Sequence, residues 1–347
     1  DLRSFTLSSF SNRLQRRLFT FAQRRLRLES EFSLGYGIGK LKRLCRKLHA
    51  SAYIMHQELA TVAGSKMLRH HKVLFDFEDW YSEDLLAEAR KSRPLDLLKK
   101  AEKIALHNGA LCTTTSNAMA NALAIAYNTA SPPRVIYNSF DPVKAILHDQ
   151  AGHDKIRLYW FSQTIGEGRG LEFFIGAMGK SSAPWELYLR GNITHAFRAH
   201  LARLVSRKDK LIILPVLGND EILSSMNDYD IGLALEPGMP PNKDLTISNK
   251  FFHYLAAGLP IIASSTKGHA EIGERHPEFI FIYEQNEEDQ LVALLNHLAA
   301  KSDEIKSARL KESILKTYQS LYAWELEEQK LIHVITQSFE NISHTAN

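Results

Sequence analysis

The sequence predicts an α/β protein made of two open parallel-sheet domains, and three observations carry that prediction. From about residue 50 onward, short β-rich runs alternate with amphipathic helical stretches, the pattern of parallel strands covered on both faces. The 347 residues fill two domains at roughly 100–200 residues each. The composition, 44% hydrophobic and 24% charged with 18 Gly and 11 Pro, is that of a globular chain. It excludes disordered, collagen-like and disulfide-stapled classes.

The chain opens on a basic block. Residues 1–50 hold twelve Lys and Arg against three acids, a net +9, whereas the other 297 residues carry 31 bases and 36 acids, a net −5. With Leu14, Leu18, Phe19, Phe21 and Leu26 beside Arg13, Arg16, Arg17, Arg24 and Arg25, the block suits a helix with an apolar stripe and a cationic flank. Three partners fit such a helix: the rest of its own domain, an anionic membrane surface, or nucleic acid phosphates. Nucleic acid is set aside, because no helix-turn-helix, RNA-binding aromatic motif or zinc finger accompanies the block. Cys45 and Cys112 stand outside any CxxC or Cys/His spacing, which fits a reducing compartment and no structural zinc. No apolar run approaches the ~18 residues of a membrane span, and no secretory signal pattern is present. The expected location is cytoplasmic, with peripheral attachment at the membrane open through the basic helix.

Strands are expected at 52–55, 72–76, 110–114 and 134–137, with helical stretches at 83–106 and 116–128 between them. The Pro-, Ser- and Asn-rich segment 130–142 reads as a strand leading into an interdomain hinge. A second series follows at 156–161, 185–189, 211–216, 231–235, 260–264 and 279–283, and the tail from 286 reads as almost wholly helical. In its last part Leu321, Trp324, Leu331 and Ile335 keep one helix face apolar. The expected domains are 1–145, 146–318, and a C-terminal helix, 319–347, crossing back to the first domain.

Ligands of open α/β sheets sit beyond the carboxyl ends of the strands, and three loops of the second series have a composition suited to phosphate. Residues 162–174, SQTIGEGRGLEFF, place Arg169 between Gly168 and Gly170 ahead of a helix, where a guanidinium and a helix N-terminus can meet a diphosphate. Arg190-Gly191-Asn192 is a second candidate turn, and a plain turn glycine is the alternative. The third follows strand 231–235, where Glu236 opens a loop with three prolines, a poor helix former. Thr246 or Ser248 can cap a helix running through Tyr254 to Gly258. Backbone amides near Ile247, Ser248 and Asn249, with Lys250 beside them, make a ready anion site. A snorkelling surface role is the alternative for Lys250.

The ordered set NDYDIGLALEP, SNKFFHYLAAGLPIIAS and GHAEI resembles the nucleotide-sugar-binding half of retaining GT-B glycosyltransferases, in particular glycosyltransferase family 4. Asp230, Gly258, Pro260, Ser264, Gly268, Glu271 and Ile272 occupy the family's motif positions. The resemblance implies a GT-B fold, two Rossmann-like domains facing a cleft. Only about 50 residues precede His56, so the first domain is expected to be trimmed relative to the family.

The family's first loop carries two cations for the donor diphosphate. Arg169 matches the second, whereas the first falls on Thr164. The family's two E-x7-E acids fall on Leu245 and His253; His253 can still hydrogen-bond a ribose hydroxyl. In the first domain, LHASAYIMHQE places His56, and VLFDFEDWYSEDL places Asp76, Glu78 and Asp79, at acceptor-side positions. TTTSNAMANAL and VIYNSFD resemble the next two family elements, with Asn138 and Asp141 matching.

These residues imply a transferase moving a sugar from a nucleoside diphosphate sugar to a glycan or lipid-linked acceptor, with no cofactor. No paired-Asp metal motif is seen, so the expected route is metal-independent. Arg169 and Lys250 would stabilise the leaving diphosphate, with Thr164, Gly168, Gly170, Gly191, Asn192, Glu236, Ile247, Ser248, Asn249 and His253 around the donor. Glu78 or Asp79 would orient the acceptor or act as general base, beside His56 and Asp76. The rival is a catalytically impaired GT-B scaffold, favoured by the missing charges at Thr164, Leu245 and His253.

Overall fold

A computed structural model describes residues 10–34, 37–141 and 155–343. The chain divides into two compact units: Asp1–Ile136 with Met239–Asn242 and Lys330–Asn347, and Tyr137–Gly238 with Lys243–Gln329. Most of the segment around the expected boundary at 145/146 lies outside the described residues.

In the first unit, helices α1 (Phe10–Leu26) and α2 (Ile38–Leu48) precede a four-stranded sheet. Its strands are β1 (Tyr53–His56), β2 (Val73–Phe77), β3 (Leu111–Thr114) and β4 (Arg134–Val135), all parallel and in that spatial order. Helices α3 (Glu58–Ser65), α4 (Leu95–Asn108) and α5 (Asn117–Tyr127) make the crossovers. Four of the five β2 residues are buried, as a strand covered on both faces requires. Helix α3 lies close over the sheet because Gly64 has no side chain; a Cβ there would stand 2.6 Å from Met55 and 2.8 Å from Phe75. The helix expected over 83–106 is instead interrupted, and α4 begins only after Pro94. Proline lacks the N–H and disfavours helical geometry in the residue before it.

The second unit holds β5 (Ile156–Ile165), α6 (Leu171–Lys180), β6 (Trp185–Ile193), α7 (His195–Leu204), β7 (Lys210–Leu214) and β8 (Ile231–Ala234). There follow α8 (Asn249–Ala256), β9 (Ile261–Ser264), α9 (Lys267–Gly273), β10 (Ile280–Tyr283), α10 (Glu288–Ala300), α11 (Ala308–Leu321) and α12 (Trp324–Ser343), whose residues from Lys330 onward belong to the first unit. Six parallel strands lie in the order β10-β9-β8-β5-β6-β7. The chain builds outward from β5 through β7, then returns to the other side of β5 to add β8, β9 and β10. The direction of winding therefore reverses between β5 and β8, the kind of place where open sheets leave a ligand crevice.

Trp160, Phe174, Trp185, Leu187 and Leu233 fill the core with no exposed surface. Helix α8 is set directly on β8: a Cβ on Gly232 would lie 2.2 Å from Cγ of Tyr254, whose hydroxyl donates to the Tyr159 and Leu233 carbonyls, 3.1 Å each.

Three expectations are corrected. Strands β5 and β6 run four residues further than their apolar cores suggest, so Thr164 and the Arg190-Gly191-Asn192 group lie in strands, with Thr164 paired to Asn192. The register slips between Phe161 and Thr164, and Gly191 serves that bulge: at φ +151°, a Cβ would meet the Ser162 carbonyl oxygen at 2.3 Å. The loop after β8, read as a poor helix former, contains a short helical turn, Pro241–Leu245; proline is tolerated in a first turn. The helical tail breaks at Tyr322 and Ala323, both buried, so Leu321 and Trp324 sit on different helices and Leu321 is 48% exposed.

Candidate functional site

At the switch point, the turn after β5 meets the end of β8. Gly168 and Gly170 both adopt left-handed backbone, φ +71° and +75°, which glycine does without strain. Gly170 caps α6, and a Cβ on it would come 3.3 Å from the Cβ of Leu235, the residue before Glu236. Arg169 stands between these glycines, half-buried, and makes no ion pair among the described residues.

Glu236 ties the end of β8 to the start of α8. Its amide donates to Ser264 Oγ at 2.9 Å, and that hydroxyl donates back to the Glu236 carbonyl at 2.8 Å. Its Oε1 accepts from Ser248 Oγ at 3.2 Å and from Lys250 Nζ at 3.3 Å. Lys250 is not a snorkelling surface residue. Its side chain is 12% exposed, and its ammonium lies 5.4 Å from the centroid of the Trp160 ring. Burial alone would raise the Glu236 carboxyl; Lys250, His269 and Lys243 outweigh it and hold the group below the ordinary carboxylate value.

The amides expected to be free at the start of α8 are partly used. The Ser248 N–H donates to Nε2 of His269, 3.4 Å, while His269 Nδ1 lies 3.0 Å from the Ser264 carbonyl. A carbonyl can only accept and an amide N–H can only donate, so the proton sits on Nδ1. Burial pushes this imidazole below its ordinary value, against the pull of Glu236. Ile247 is buried with its backbone pressed toward α9, where a Cβ on Gly268 would lie 2.9 Å from its nitrogen. The Phe251 amide returns to the Ser248 carbonyl. The first-turn amides left without a helical acceptor are those of Asn249 and Lys250.

Asn249 Oδ1 accepts from Asn138 at 3.0 Å. His253 Nδ1 donates to the Asn249 carbonyl at 2.7 Å, its ring packs 3.7 Å from the Phe140 centroid, and burial lowers its pKa. Its Nε2 remains an acceptor. Leu245 is 6% exposed and apolar. Other motif positions have structural roles. Asp230 accepts from the Arg157 amide at 2.7 Å, joining β8 to β5, and Glu271 accepts from Tyr137 at 2.8 Å.

In the first unit, His56, Asp76 and Thr113 stand in register across β1, β2 and β3. His56 Nδ1 is 2.7 Å from Asp76 Oδ2, and its Nε2 is 3.0 Å from Glu78 Oε2. Thr113 donates to the other Asp76 oxygen at 2.7 Å. Asp79 does not join them: its Oδ1 accepts from Asn242 at 2.6 Å, and fully buried Asn242 also accepts the Trp80 amide. Behind this loop, buried Glu102 accepts the Ser82 amide at 2.9 Å and hydroxyl at 2.7 Å.

Sequence reasoning missed His269, Thr113, Asn242 and Glu102. His269 had a usable signal, since it lies inside GHAEI between the matched positions Gly268 and Glu271. The other three carry none, because their partners lie far away in the chain.

No protein-family model and no curated protein sequence matches the chain. Its backbone is similar to that of sucrose-phosphate synthase from Thermosynechococcus elongatus, with TM-score 0.68 and 14% identity over 88% of this chain and 77% of that one. Anabaena HepE in complex with UDP gives 0.66 and 15%, covering 89% and 84%. A glycosyltransferase from Rickettsia africae gives 0.63 and 13%, covering 88% and 81%. The two parallel sheets of this chain thus reproduce the fold of the GT-B glycosyltransferases.

Proposed function

We propose that the chain is a glycosyltransferase that moves a sugar from a nucleoside diphosphate sugar to a glycan or lipid-linked acceptor, metal-independent and retaining. One observation carries the reading: at the point where winding reverses, the Arg169 turn abuts the end of β8, and the next residue, Glu236, holds Lys250 at the start of α8. Fold neighbours support a nucleotide sugar as donor, HepE having been solved with UDP and with UDP-glucose.

As the sugar–phosphate bond breaks, negative charge grows on the leaving diphosphate. Arg169, Lys250 and the positive end of α8 oppose that charge. The acceptor hydroxyl attacks on the face from which the diphosphate departs, with no covalent carboxylate. In the first unit Glu78 orients the acceptor or takes its proton, and Asp76 fixes the His56 ring beside it. Asp79, committed to Asn242, has a structural part instead.

A thermal-shift screen of UDP, GDP, ADP and dTDP tests the reading, since a ligand that binds only the folded state raises its melting temperature. Mass spectrometry of the matching sugar nucleotides then reports hydrolysis or transfer. No shift and no turnover with any of them rejects the proposal. The second reading, a binding scaffold without turnover, draws on Leu245 in the core and His253 packed on Phe140. Binding without turnover selects it.

A further inference from the structure

Helix α1 packs by one side only. Phe19 meets Phe32 with ring centroids 5.1 Å apart, and Gln23, 6% exposed, accepts from Ser33 Oγ at 3.0 Å. At about 100° per residue, Leu14, Leu18 and Phe21 fall on the opposite side. They are 47%, 59% and 62% exposed, and Leu28 just beyond the helix is 60% exposed. Arg17 and Arg24 flank Phe21, and Arg25 projects between the lines of Leu14 and Leu18. The helix contains no acid. Arg13, Arg16, Arg17, Thr20, Phe21 and Arg24 line a groove of about 470 Å³ along the flank between the packed side and this outward face.

We propose that the outward face of α1 docks the protein on an anionic lipid bilayer. Phe21, Leu14 and Leu18 enter the boundary between headgroups and acyl chains, and the guanidinium groups take lipid phosphates in the groove. Charge complementarity selects this occupant. Two copies of the face would bring Arg17, Arg24 and Arg25 against the same three, with no acid of α1 between them. A nucleic acid backbone would use the cations and leave three large apolar side chains in water. The attachment is to the surface, since no described helix is long and apolar enough to cross a membrane. The inference does not depend on the transferase reading, and its readout is lipid binding rather than turnover.

The test is co-sedimentation of the full chain with vesicles of phosphatidylcholine alone and with roughly a third phosphatidylglycerol, at low and high salt. The expected result is at least tenfold stronger partition onto the anionic vesicles, weakened by salt. Two paired variants on the outward side, Leu18→Ser with Phe21→Ser and Arg17→Gln with Arg24→Gln, each reduce it about tenfold with unchanged thermal melts. Equal recovery in the supernatant with both vesicle types overturns the proposal. Binding lost in the arginine pair but intact in the apolar pair also overturns it and assigns the face to a soluble polyanion. A dimer dissolved by the apolar pair overturns it too and assigns the face to a second copy.

Discussion

Lys250 Nζ stands 3.3 Å from Glu236 Oε1, with the two side chains only 12% and 10% exposed. Removing one member leaves the other charge buried and unpaired, which costs about 3–5 kcal/mol. Lys250→Met is therefore expected to lower the urea midpoint sharply, and adding Glu236→Gln to recover part of the loss. A single variant as stable as the parent shows that the pair is not coupled.

Arg169 offers a cleaner probe of ligand binding, because its guanidinium makes no ion pair among the described residues. Hydrogen bonds to charged groups contribute about 1.5–3 kcal/mol. Arg169→Ala should weaken nucleoside diphosphate binding by roughly tenfold to a hundredfold, by calorimetry, with the melt unchanged. Equal affinity in variant and parent removes Arg169 from the donor site.

Gly191 separates a structural role from a ligand contact. Gly191→Ala places a Cβ 2.3 Å from the Ser162 oxygen at φ +151°, and such strain costs about 1–3 kcal/mol. A lower denaturation midpoint is expected. A variant that unfolds like the parent but binds nucleotide poorly reverses the assignment.

Stability should also fall on the acid side in two stages. His253 and His269 are held below the ordinary imidazole value of 6.5. The folded state therefore binds fewer of these protons than the unfolded one. Their contribution is complete above 6.5 and is lost as pH drops through the folded values. Glu31, Glu83, Glu186 and Glu236 are lowered from 4.5, so their loss comes below that pH. Buried Glu102, raised from 4.5, acts with the opposite sign. The imidazole is therefore isolated by comparing variant with parent between pH 7 and 5, where His269→Gln should flatten the limb. An unchanged slope in the variant shows that His269 does not titrate there.

The acceptor-side proposal is checked by His56→Asn. Transfer should fall about a hundredfold or more while donor affinity holds, because Glu78, the group proposed to take the proton, loses the imidazole 3.0 Å away that positions it. Equal losses of binding and transfer would place His56 elsewhere in the scheme.

The strands were legible because buried parallel strands are continuous apolar runs, as in IRLYWF and WELYL. Their true ends were not. Ser162, Gln163 and Thr164 look like loop residues, and only the neighbouring strand shows that they stay in the ladder. At the site, Glu236, Ser248 and Lys250 could be named from the sequence as loop and cap residues. Their mutual engagement depends on a fold that brings positions fourteen apart within hydrogen-bond reach. The link from Asn242 to Asp79 spans 163 positions, and no local pattern announces it.

Between Gly232 and Tyr254 an aromatic ring rests on bare backbone, and its hydroxyl is pinned to two carbonyls. The height of α8 above the sheet is thereby fixed from beneath, independently of the side chains at its opening turn. Ligand preference can drift at those positions while the platform stays level. Randomising 249 and 253 should return folded proteins with altered appetites, whereas randomising 232 should return glycine and little else.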